Sequence, residues 1–477
     1  MLWNASKSLQ GGGVSYFEYT TELTYLLFLK MLAEIKRDEH LLEESIPENF
    51  RWGALKSLAG ADQLAHYRHI LAELGKPKTS ALPLVRQIFE DAHTSITVPN
   101  ALTQLIATID KIAWHDYAED GLGDVYEGLL EKTTSERKSK AGQYFTPRAL
   151  IETIVKLVHP QPGEIVHDPA AGKAGFIIAA HRLISLSTDN LRTLSVKRRS
   201  WQRTQAYQGA ELITGTHRLS TMNLVLHGID TALQCVDALT PGYACEPADV
   251  ILSNPPFNKF PDATDRPEFE ITGSASKNPL PFVEHIVRSL KVGGRAAVVV
   301  PDNFLFEENI AGRLRTWLME RCDLHTILRL PTGIFYAQGV KTNVLFFTKK
   351  SETPVAATKA VWVYDMRAQM PNFGKTRTLK THDFEPFVKA FGQDPFDGES
   401  RKDEGLAGRL RRFSRQEVAD RNDNLDIHWL PNDATSMEEG LVQLDDIAVA
   451  IRNHLQSALA EIQSVMKELG SESDDPE

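Results

Sequence analysis

Short β-branched segments alternate with helix-like segments from about residue 145 onward, and no other feature constrains the fold of this chain as strongly. Strands that alternate with helices in this way indicate a parallel sheet with helices packed on both faces. We therefore predict an α/β fold with a mostly parallel, doubly wound sheet. The predicted strands are 163–170, 205–212, 232–239, 249–256, 295–302, 324–331, 342–350 and 360–368, and the predicted helices between them include 213–227, 281–291 and 309–322.

The regions on either side of this pattern have a different character. Residues 1–135 favour helices, because their apolar residues recur at intervals of three and four. After residue 350 the pattern weakens, and 370–410 is predicted to be irregular surface. Near the C-terminus one apolar stripe predicts a long helix, through Leu444, Ile447, Ile451, Leu455, Ala458, Ile462, Val465 and Leu469.

Composition argues against several classes of protein. The three cysteines among 477 residues are too few for a disulfide framework and show no metal-ligand spacing, which favours a reducing cytoplasm. We expect neither a signal peptide nor a membrane span, because the sequence lacks a basic start with an apolar core and any run of about 18 apolar residues. The net charge of −10 counts against tight DNA binding without a partner.

Polar residues follow four of the predicted strands at the point where each strand ends. They are Asp168, Glu211, Asp237 and Asn254. In an open parallel sheet, ligands bind outside the carboxyl ends of the strands. The four residues are therefore expected to line one site.

The segment DPAAGKAGF follows the first predicted strand and leads into a helix. Gly172 and Gly175 let the backbone approach a ligand, and the helix N-terminus favours a carboxylate or a phosphate. The spacing is not GxGxxG, so the dinucleotide fingerprint is absent. A tight strand–helix turn without a ligand is an equally good interpretation of this segment alone.

Glu211 and Asp237 are candidates for contacts to a nucleoside. An acidic residue at the end of the second strand can accept hydrogen bonds from ribose hydroxyls. Asp237 can accept a hydrogen bond from an adenine amino group. Taken singly, a solvated charge and a helix cap or turn residue explain them as well, but their positions on consecutive strand ends favour a shared ligand.

An apolar strand ends in an amide, two conformationally restricted residues and an aromatic ring. These are Asn254, Pro255, Pro256 and Phe257. The exocyclic amine of adenine is a poor nucleophile because its lone pair is delocalised. The Asn254 side-chain oxygen and the Pro255 carbonyl can accept its two N–H bonds and direct the lone pair at a methyl donor. Phe257 would stack on a base swung out of its helix. The alternative is a strand that ends in a proline-rich turn.

The segment AGQYFTPRAL precedes the first predicted strand. In one interpretation Thr146 caps a helix that Pro147 begins. In the other, Tyr144, Phe145 and Thr146 close over a cofactor.

These motifs together resemble the modification subunit of type I restriction–modification systems, an adenine-N6 DNA methyltransferase. The resemblance rests on GQYFTPR, DPAAGKAGF, GAELITGTHRLSTMNLVLHG, NPPFN and LPTGIFYAQGVKTNVLFF in that order. With the helical N-terminal region, it covers nearly the whole chain.

The resemblance implies a class I S-adenosylmethionine-dependent methyltransferase domain at 136–410, after a helical domain at 1–135. It implies a C-terminal helical region at 411–470 that contacts a separate specificity subunit, before a disordered tail at 471–477. Two such chains would pair with one specificity subunit, and with restriction subunits in the full complex, on double-stranded DNA with a flipped adenine.

The resemblance also implies roles for individual residues. The target-adenine contacts fall on Asn254, Pro255, Pro256 and Phe257. The S-adenosylmethionine contacts fall on Gln143, Tyr144, Phe145, Thr146, Pro147, Arg148, Asp168, Gly172, Lys173, Ala174, Gly175, Glu211 and Asp237.

The glycine loop departs from the family pattern, which usually has a small hydroxyl residue and a glycine where this chain has Lys173 and Ala174. Two other interpretations stay open. One is an assembly subunit that has lost catalysis. The other is an Asn-Pro-Pro-aromatic methyltransferase that acts on RNA or on protein glutamine.

Overall fold

The computed structural model of the protein describes residues 16–34, 46–76, 78, 83–111, 146–257, 266, 268–273, 280–335, 341–368, 370, 373, 377–394 and 401–430. Three predicted features lie outside the described residues. They are the segment Gln143–Phe145, the apolar stripe from Leu444 to Leu469 and the tail at 471–477.

One mixed sheet of eight strands forms the centre of the molecule, in the order β2-β1-β3-β4-β6-β5-β7-β8. Its strands are β1 (Val166–Asp168), β2 (Tyr207–Gly209), β3 (Ala248–Ser253), β4 (Leu290–Pro301), β5 (Cys322–Arg329), β6 (Thr342–Lys349), β7 (Ala360–Asp365) and β8 (Leu410–Ser414). β6 is antiparallel to both of its neighbours, β4 and β5, and β8 is antiparallel to β7, while the remaining pairs are parallel. All strands except β6 and β8 therefore run in one direction, as a mostly parallel sheet requires.

Helices cover both faces of this sheet. The helices from residue 146 onward are α6 (Arg148–Val158), α7 (Gly175–Ser187), α8 (Val196–Thr204), α9 (Thr214–Leu226), α10 (Leu280–Ser289), α11 (Asn303–Phe306), α12 (Ile310–Arg321), α13 (Glu385–Phe391) and α14 (Arg415–Ala419), with a 3-10 turn at Thr381–Phe384. The described residues before 112 form α1 (Tyr16–Glu34), α2 (Trp52–Lys56), α3 (Gly60–Leu74), α4 (Pro83–Phe89) and α5 (Pro99–Asp110), with a 3-10 turn at Glu48–Phe50.

Side chains that alternate along the central strands build one apolar core on each face of the sheet. On β3, Val250 and Leu252 pack into the core beneath α6 and α7, whereas Ile251 packs into the core beneath α10 and α12. Successive residues of a strand point to opposite faces. Burial on both faces explains why these strands are almost continuously apolar in sequence.

The N-terminal helices have their own apolar core, and α9 joins it to the sheet. Met222, Val225 and Leu226 of α9 lie in the N-terminal core, whereas Leu224 lies in the core of the sheet. The Arg218 guanidinium lies 5.6 Å from the ring centroid of Tyr25 on α1. The N-terminal layer is therefore packed against the helix that follows the second strand.

Two expectations about secondary structure are wrong. Residues 232–239 form no strand. Gln234 makes a single parallel bridge to Ala210, and the Asp237 carboxylate then accepts the Leu239 N–H and turns the chain. Residues 370–410 are not all irregular, because they include the 3-10 turn, α13 and the first residue of β8.

None of the helices in the described ranges has the length and apolar character that a bilayer crossing requires.

Candidate active site

The carboxyl ends of β2, β1 and β3 lie side by side, because these strands are adjacent and parallel. This edge brings together three of the four predicted strand-end residues. Asp168 is the last residue of β1, Glu211 follows β2 by two residues, and Asn254 directly follows β3.

Glu211 holds the glycine loop in place. Its Oε2 accepts the Gly172 N–H at 3.0 Å and its Oε1 accepts the Ile213 N–H at 2.9 Å. Burial raises the pKa of the Glu211 carboxyl, and these two bonds lower it. Gly172 has a φ of 53°, and a Cβ built on it would meet no atom within 4 Å. The loop therefore presents open backbone beside a buried carboxylate.

The rest of the glycine loop contacts the neighbouring helix α9. The Asn223 side chain on α9 donates from Nδ2 to the Lys173 carbonyl at 3.0 Å. A Cβ on Gly175 would lie 2.8 Å from the Cδ1 atom of the Ile151 side chain, so a larger residue at the start of α7 would require that side chain to shift. Ala174 has a φ of 65°, a left-handed conformation that costs an alanine about 1–2 kcal/mol. A glycine at this position, as the family pattern has it, would adopt this conformation without strain.

Asp168 is fixed between β1 and β3. Its Oδ1 accepts the Ser253 hydroxyl at 2.7 Å and the Ala170 N–H at 3.1 Å. Burial raises the pKa of the Asp168 carboxyl to about 7, and these two hydrogen bonds oppose the rise. The bond from Ser253 couples the ends of the two strands that carry Asp168 and Asn254.

Asp237 occupies a turn and not a strand end. Its Oδ1 accepts the Leu239 N–H at 2.8 Å, and its carbonyl accepts the Thr240 N–H at 3.0 Å. The carboxylate is half-buried. These bonds explain its local role as a turn residue and leave its predicted contact with the cofactor as a proposal.

Asn254 has one satisfied and one unsatisfied side-chain atom. Its Nδ2 donates to the Thr146 hydroxyl oxygen at 2.8 Å. Its Oδ1 is buried, and no described residue donates a hydrogen bond to it. A buried acceptor without a donor costs about 1–3 kcal/mol, and most such atoms in proteins have a partner. The bond to Thr146 therefore orients the amide, and the Oδ1 atom can accept a hydrogen bond from a donor outside the described residues.

The two prolines and the aromatic ring follow directly. Pro255 is buried, and Pro256 and Phe257 are half-buried. The Phe257 ring meets the Phe335 ring edge-on, with centroids 5.8 Å apart and an interplanar angle of 83°. Phe335 lies in the turn after β5 and fixes the orientation of the Phe257 ring.

The start of α6 rules out one of the two interpretations of Thr146, a helix cap. The helix begins at Arg148, Pro147 is its N-cap, and no side chain caps it. The Thr146 hydroxyl instead accepts from Asn254. Arg148 pairs with Glu152 one turn along the helix, at 2.9 Å between Nε and Oε1.

Sequence reasoning missed three residues of this edge, Asn223, Ser253 and Phe335. A signal existed for Asn223, because an amide inside the apolar run of α9 is unusual and the residue is fully buried. No signal existed for the bond between Ser253 and Asp168, because the two residues are 85 positions apart.

The sequence model of a family described as N-6 DNA Methylase matches residues 117–439. The chain belongs to the N-6 DNA methylase family. Within this family it is similar to methylase subunits of type I restriction enzymes. The EcoKI methylase subunit of Escherichia coli strain K12 is 41% identical, and the alignment covers 98% of this chain and 94% of that protein. The StySPI methylase subunit of Salmonella potsdam is 40% identical with the same coverage.

Solved structures agree with this family assignment. The crystal structure of the EcoKI M protein is 37% identical, with a TM-score of 0.58 over 99% of this chain and 96% of that chain. A chain from a study of assembly and conformational transition of the type I R-M system is 24% identical, with a TM-score of 0.72 over 96% and 97%. At that identity the second match supports the fold alone. The predicted α/β fold and the resemblance to the modification subunit are both confirmed.

Proposed function

We propose that Asn254, Pro255, Pro256 and Phe257 form the catalytic loop of an adenine-N6 DNA methyltransferase, the modification subunit of a type I restriction–modification system. The activity follows from membership of the family and from relatives about 40% identical that are methylase subunits. The assignment of the loop rests on one observation, the buried Asn254 Oδ1 that no described residue satisfies.

The geometry of Asn254 suits an amine substrate that donates two hydrogen bonds. The Asn254 Oδ1 would accept one N–H of the adenine N6 amine, and the Pro255 carbonyl would accept the other. Two fixed acceptors favour a tetrahedral nitrogen, whose lone pair is then free to attack a methyl group. Because Pro255 and Pro256 restrict the backbone, this arrangement exists before the substrate binds, and catalysis gains from positioning.

Phe257 would hold the base once it has left the DNA helix. An enzyme that reacts with a base must take it out of the stack, and aromatic side chains then replace the lost stacking. Contact with Phe335 keeps the Phe257 ring from turning away.

S-adenosylmethionine is the methyl donor that the family implies, and the residues at the strand ends fit it. When bound, it supplies a methyl group on a positively charged sulfonium. Glu211 would accept hydrogen bonds from the ribose hydroxyls, and Asp237 would accept one from the adenine amino group. Asp168 and the open backbone from Gly172 to Gly175 would face the methionine half, because that loop carries no side chain at Gly172.

The remaining predicted cofactor contacts lie just before α6. Thr146, Pro147 and Arg148 follow the segment Gln143–Phe145, and we propose that this stretch closes over the cofactor. Thr146 has a second role, because its hydroxyl orients the Asn254 amide.

Variants of Thr146 test that role directly. Thr146→Val is expected to lower kcat for methyl transfer by about tenfold, because the Asn254 Nδ2 loses its acceptor and the amide is free to rotate. Thr146→Ser keeps the hydroxyl and is expected to retain nearly the full rate. Single-turnover methyl transfer and calorimetric titration with S-adenosylmethionine would be measured on both. Weaker cofactor binding at an unchanged rate would contradict a role through Asn254.

Lys173 allows a test of the altered glycine loop. We propose that its ammonium pairs with the carboxylate of the methionine half, and a partly exposed pair of this kind contributes roughly 0.2–1 kcal/mol. Lys173→Ala is therefore expected to weaken cofactor binding about two- to fivefold, and less at high salt. Titrations at two salt concentrations measure this effect, with the exposed Lys156→Ala on α6 as control. Tighter binding by Lys173→Ala would show that the lysine opposes the cofactor.

The partners follow from the type I system. We propose that two copies of this chain assemble with one specificity subunit that recognises the DNA sequence, and with restriction subunits in the full complex. The net charge of −10 supports a separate subunit for DNA recognition, because a negatively charged chain gains little DNA affinity from phosphate contacts alone. The C-terminal helical region predicted at 411–470 would supply the contact to the specificity subunit.

Two alternatives have less support. An assembly subunit without catalysis has no use for an intact Asn254-Pro255-Pro256-Phe257 loop with a reserved acceptor. A methyltransferase for RNA or for protein glutamine would share that loop, but the relatives matched over 98% of this chain are methylase subunits of restriction enzymes.

A further inference from the structure

Two buried histidines and a cysteine meet on the face of the sheet that α10 covers. His167 lies on β1, Cys245 lies in the segment before β3, and His285 lies on α10. Each offers one ligand atom, and the three atoms all lie within 4.8 Å of one another. His167 and His285 are 0% and 4% exposed, and Cys245 is half-buried. The proposed catalytic loop and the proposed cofactor contacts use none of the three.

His167 has one engaged ring nitrogen and one without a partner. Its Nε2 lies 3.1 Å from the Tyr243 hydroxyl, whereas its Nδ1 is buried and unpaired among the described residues. A buried polar atom of this kind calls for an explanation. Histidines that bind metals typically use one nitrogen for the metal and the other for a hydrogen bond. His167 therefore has the environment of a ligand.

We propose that His167, Cys245 and His285 bind a divalent transition-metal ion, for which Zn²⁺ is the best match. Imidazole nitrogen and thiolate sulfur are the ligands that zinc prefers, at about 2.0–2.3 Å from the metal. Ligand atoms of a tetrahedral zinc site are then roughly 3.5 Å apart, so small side-chain movements complete the set. Cys245 binds as the thiolate, and its proton passes to solvent.

A protein oxygen atom or a water molecule would supply the fourth ligand of the metal. The Ser289 hydroxyl lies 3.4 Å from the His285 Nε2 and 3.7 Å from the Cys245 Sγ, so it borders two of the three ligands.

Ring packing alone is the competing explanation. The rings of His167, His285 and Tyr243 lie with centroids 5.6–6.2 Å apart, as in an ordinary buried cluster. That explanation accounts for the burial, and the Cys245 thiol donates to the Ser289 hydroxyl at 3.7 Å without a metal, but it gives no role to the unpaired Nδ1 of His167. The nearby charges neither favour nor oppose a bound metal. The Arg266 guanidinium would repel a cation, and a Cys245 thiolate would offset that repulsion.

A metal here would tie three separate elements together. It would link the segment before β3 and the helix α10 to His167 on β1, which directly precedes Asp168. Metal binding would therefore stiffen the strand end that the cofactor is proposed to use, without touching the transferred group. The inference does not depend on the proposed function, because it concerns residues outside that site.

The test uses the full chain, purified in reductant and freed of metal with a chelator. Zn²⁺ is added in competition with a chromogenic chelator, and Co²⁺ is added separately for its absorption spectrum. We expect one tight equivalent of Zn²⁺, a thiolate-to-cobalt charge-transfer band, and a higher Tm with Zn²⁺ but not with Mg²⁺. Cys245→Ser should weaken Zn²⁺ binding at least about a hundredfold. Loss of a residue that hydrogen-bonds to a metal ligand lowers metal affinity about 10–100-fold, and loss of the ligand itself should lower it further.

Cys235→Ser is the matched control, because that thiol is exposed and lies outside the cluster. It should leave the affinity and the cobalt band unchanged. Absence of a charge-transfer band in the wild-type chain would overturn the proposal even if Cys245→Ser failed to fold. Zn²⁺ bound equally by wild type and Cys245→Ser would also overturn it, and would assign the metal to other histidines among the 15 in the chain.

Discussion

Asn254→Ala is expected to lower methyl transfer to DNA at least about a hundredfold, while S-adenosylmethionine binds within about twofold of wild type. The alanine removes the acceptor that would fix the adenine amine, and loss of one positioned hydrogen-bonding group typically costs 10²–10³ in rate. It also removes a buried oxygen that no described residue satisfies, so the fold should lose little stability. A tritium-transfer assay and calorimetry on one preparation would measure both quantities.

Asn100→Ala is a suitable control for this variant. Asn100 is exposed at the start of α5, in the N-terminal layer, and the same chemical change there should leave the rate and the affinity unchanged. Near-normal transfer by Asn254→Ala would contradict the assignment of the catalytic loop. Loss of transfer together with cofactor binding would instead assign Asn254 to the cofactor.

Glu211→Ala is expected to weaken S-adenosylmethionine binding by about a hundredfold or more. The carboxylate would lose its hydrogen bonds to the ribose, and hydrogen bonds to charged groups contribute about 1.5–3 kcal/mol each, where about 1.4 kcal/mol is tenfold in affinity. The variant also leaves the Gly172 and Ile213 N–H groups without their acceptor, so the glycine loop loses its shape. Calorimetric titration measures the affinity, and Tm measures the accompanying loss of stability.

Two further variants separate these effects. Glu211→Gln retains an acceptor oxygen for one backbone N–H, and its affinity should lie between those of wild type and Glu211→Ala. Glu385→Ala removes an exposed carboxylate at the start of α13 and should change neither quantity. Wild-type affinity in Glu211→Ala would show that this carboxylate only supports the loop and does not contact the cofactor.

The sequence predicted the strand ends of the site well because local chemistry determines them. An apolar run that ends in Asp168-Pro169 or in Asn254-Pro255 favours a buried strand that stops there, since proline cannot continue a central strand. Parallel neighbours then bring such ends to one edge. The turn after β1 could be predicted for a similar reason, because Gly172 adopts a φ of 53°, which glycine accommodates without strain.

The strand predicted at 232–239 is absent because contacts beyond the local pattern determine the structure there. The pattern there suits a strand, but Gln234 forms one bridge at the edge of the sheet and Asp237 turns the chain by bonding to its own backbone. An acidic residue that accepts a nearby N–H competes with a ladder of strand hydrogen bonds. The position of β8 and the reversal of β6 depend on pairing between distant segments, which no short window of sequence contains.

Contacts between distant residues account for the rest of what sequence could not supply. The bond between Thr146 and Asn254 spans 108 positions, and sequence alone left both a helix cap and a cofactor contact open for Thr146. The cluster of His167, Cys245 and His285 has no spacing that marks a metal site, because the three ligands come from three elements. Both arrangements arise only when the sheet has formed.

Identification of the methylated atom would show whether the chain transfers its methyl group to adenine N6 in DNA. The chain, co-purified with its specificity subunit, would be incubated with tritiated S-adenosylmethionine and duplex DNA, and the DNA would then be digested to nucleosides. We predict that the label is on N6-methyladenine, that omission of the specificity subunit removes it, and that Asn254→Ala removes it while cofactor binding persists. Label on cytosine, or transfer that survives Asn254→Ala, would contradict the assignment of adenine-N6 methylation to this loop.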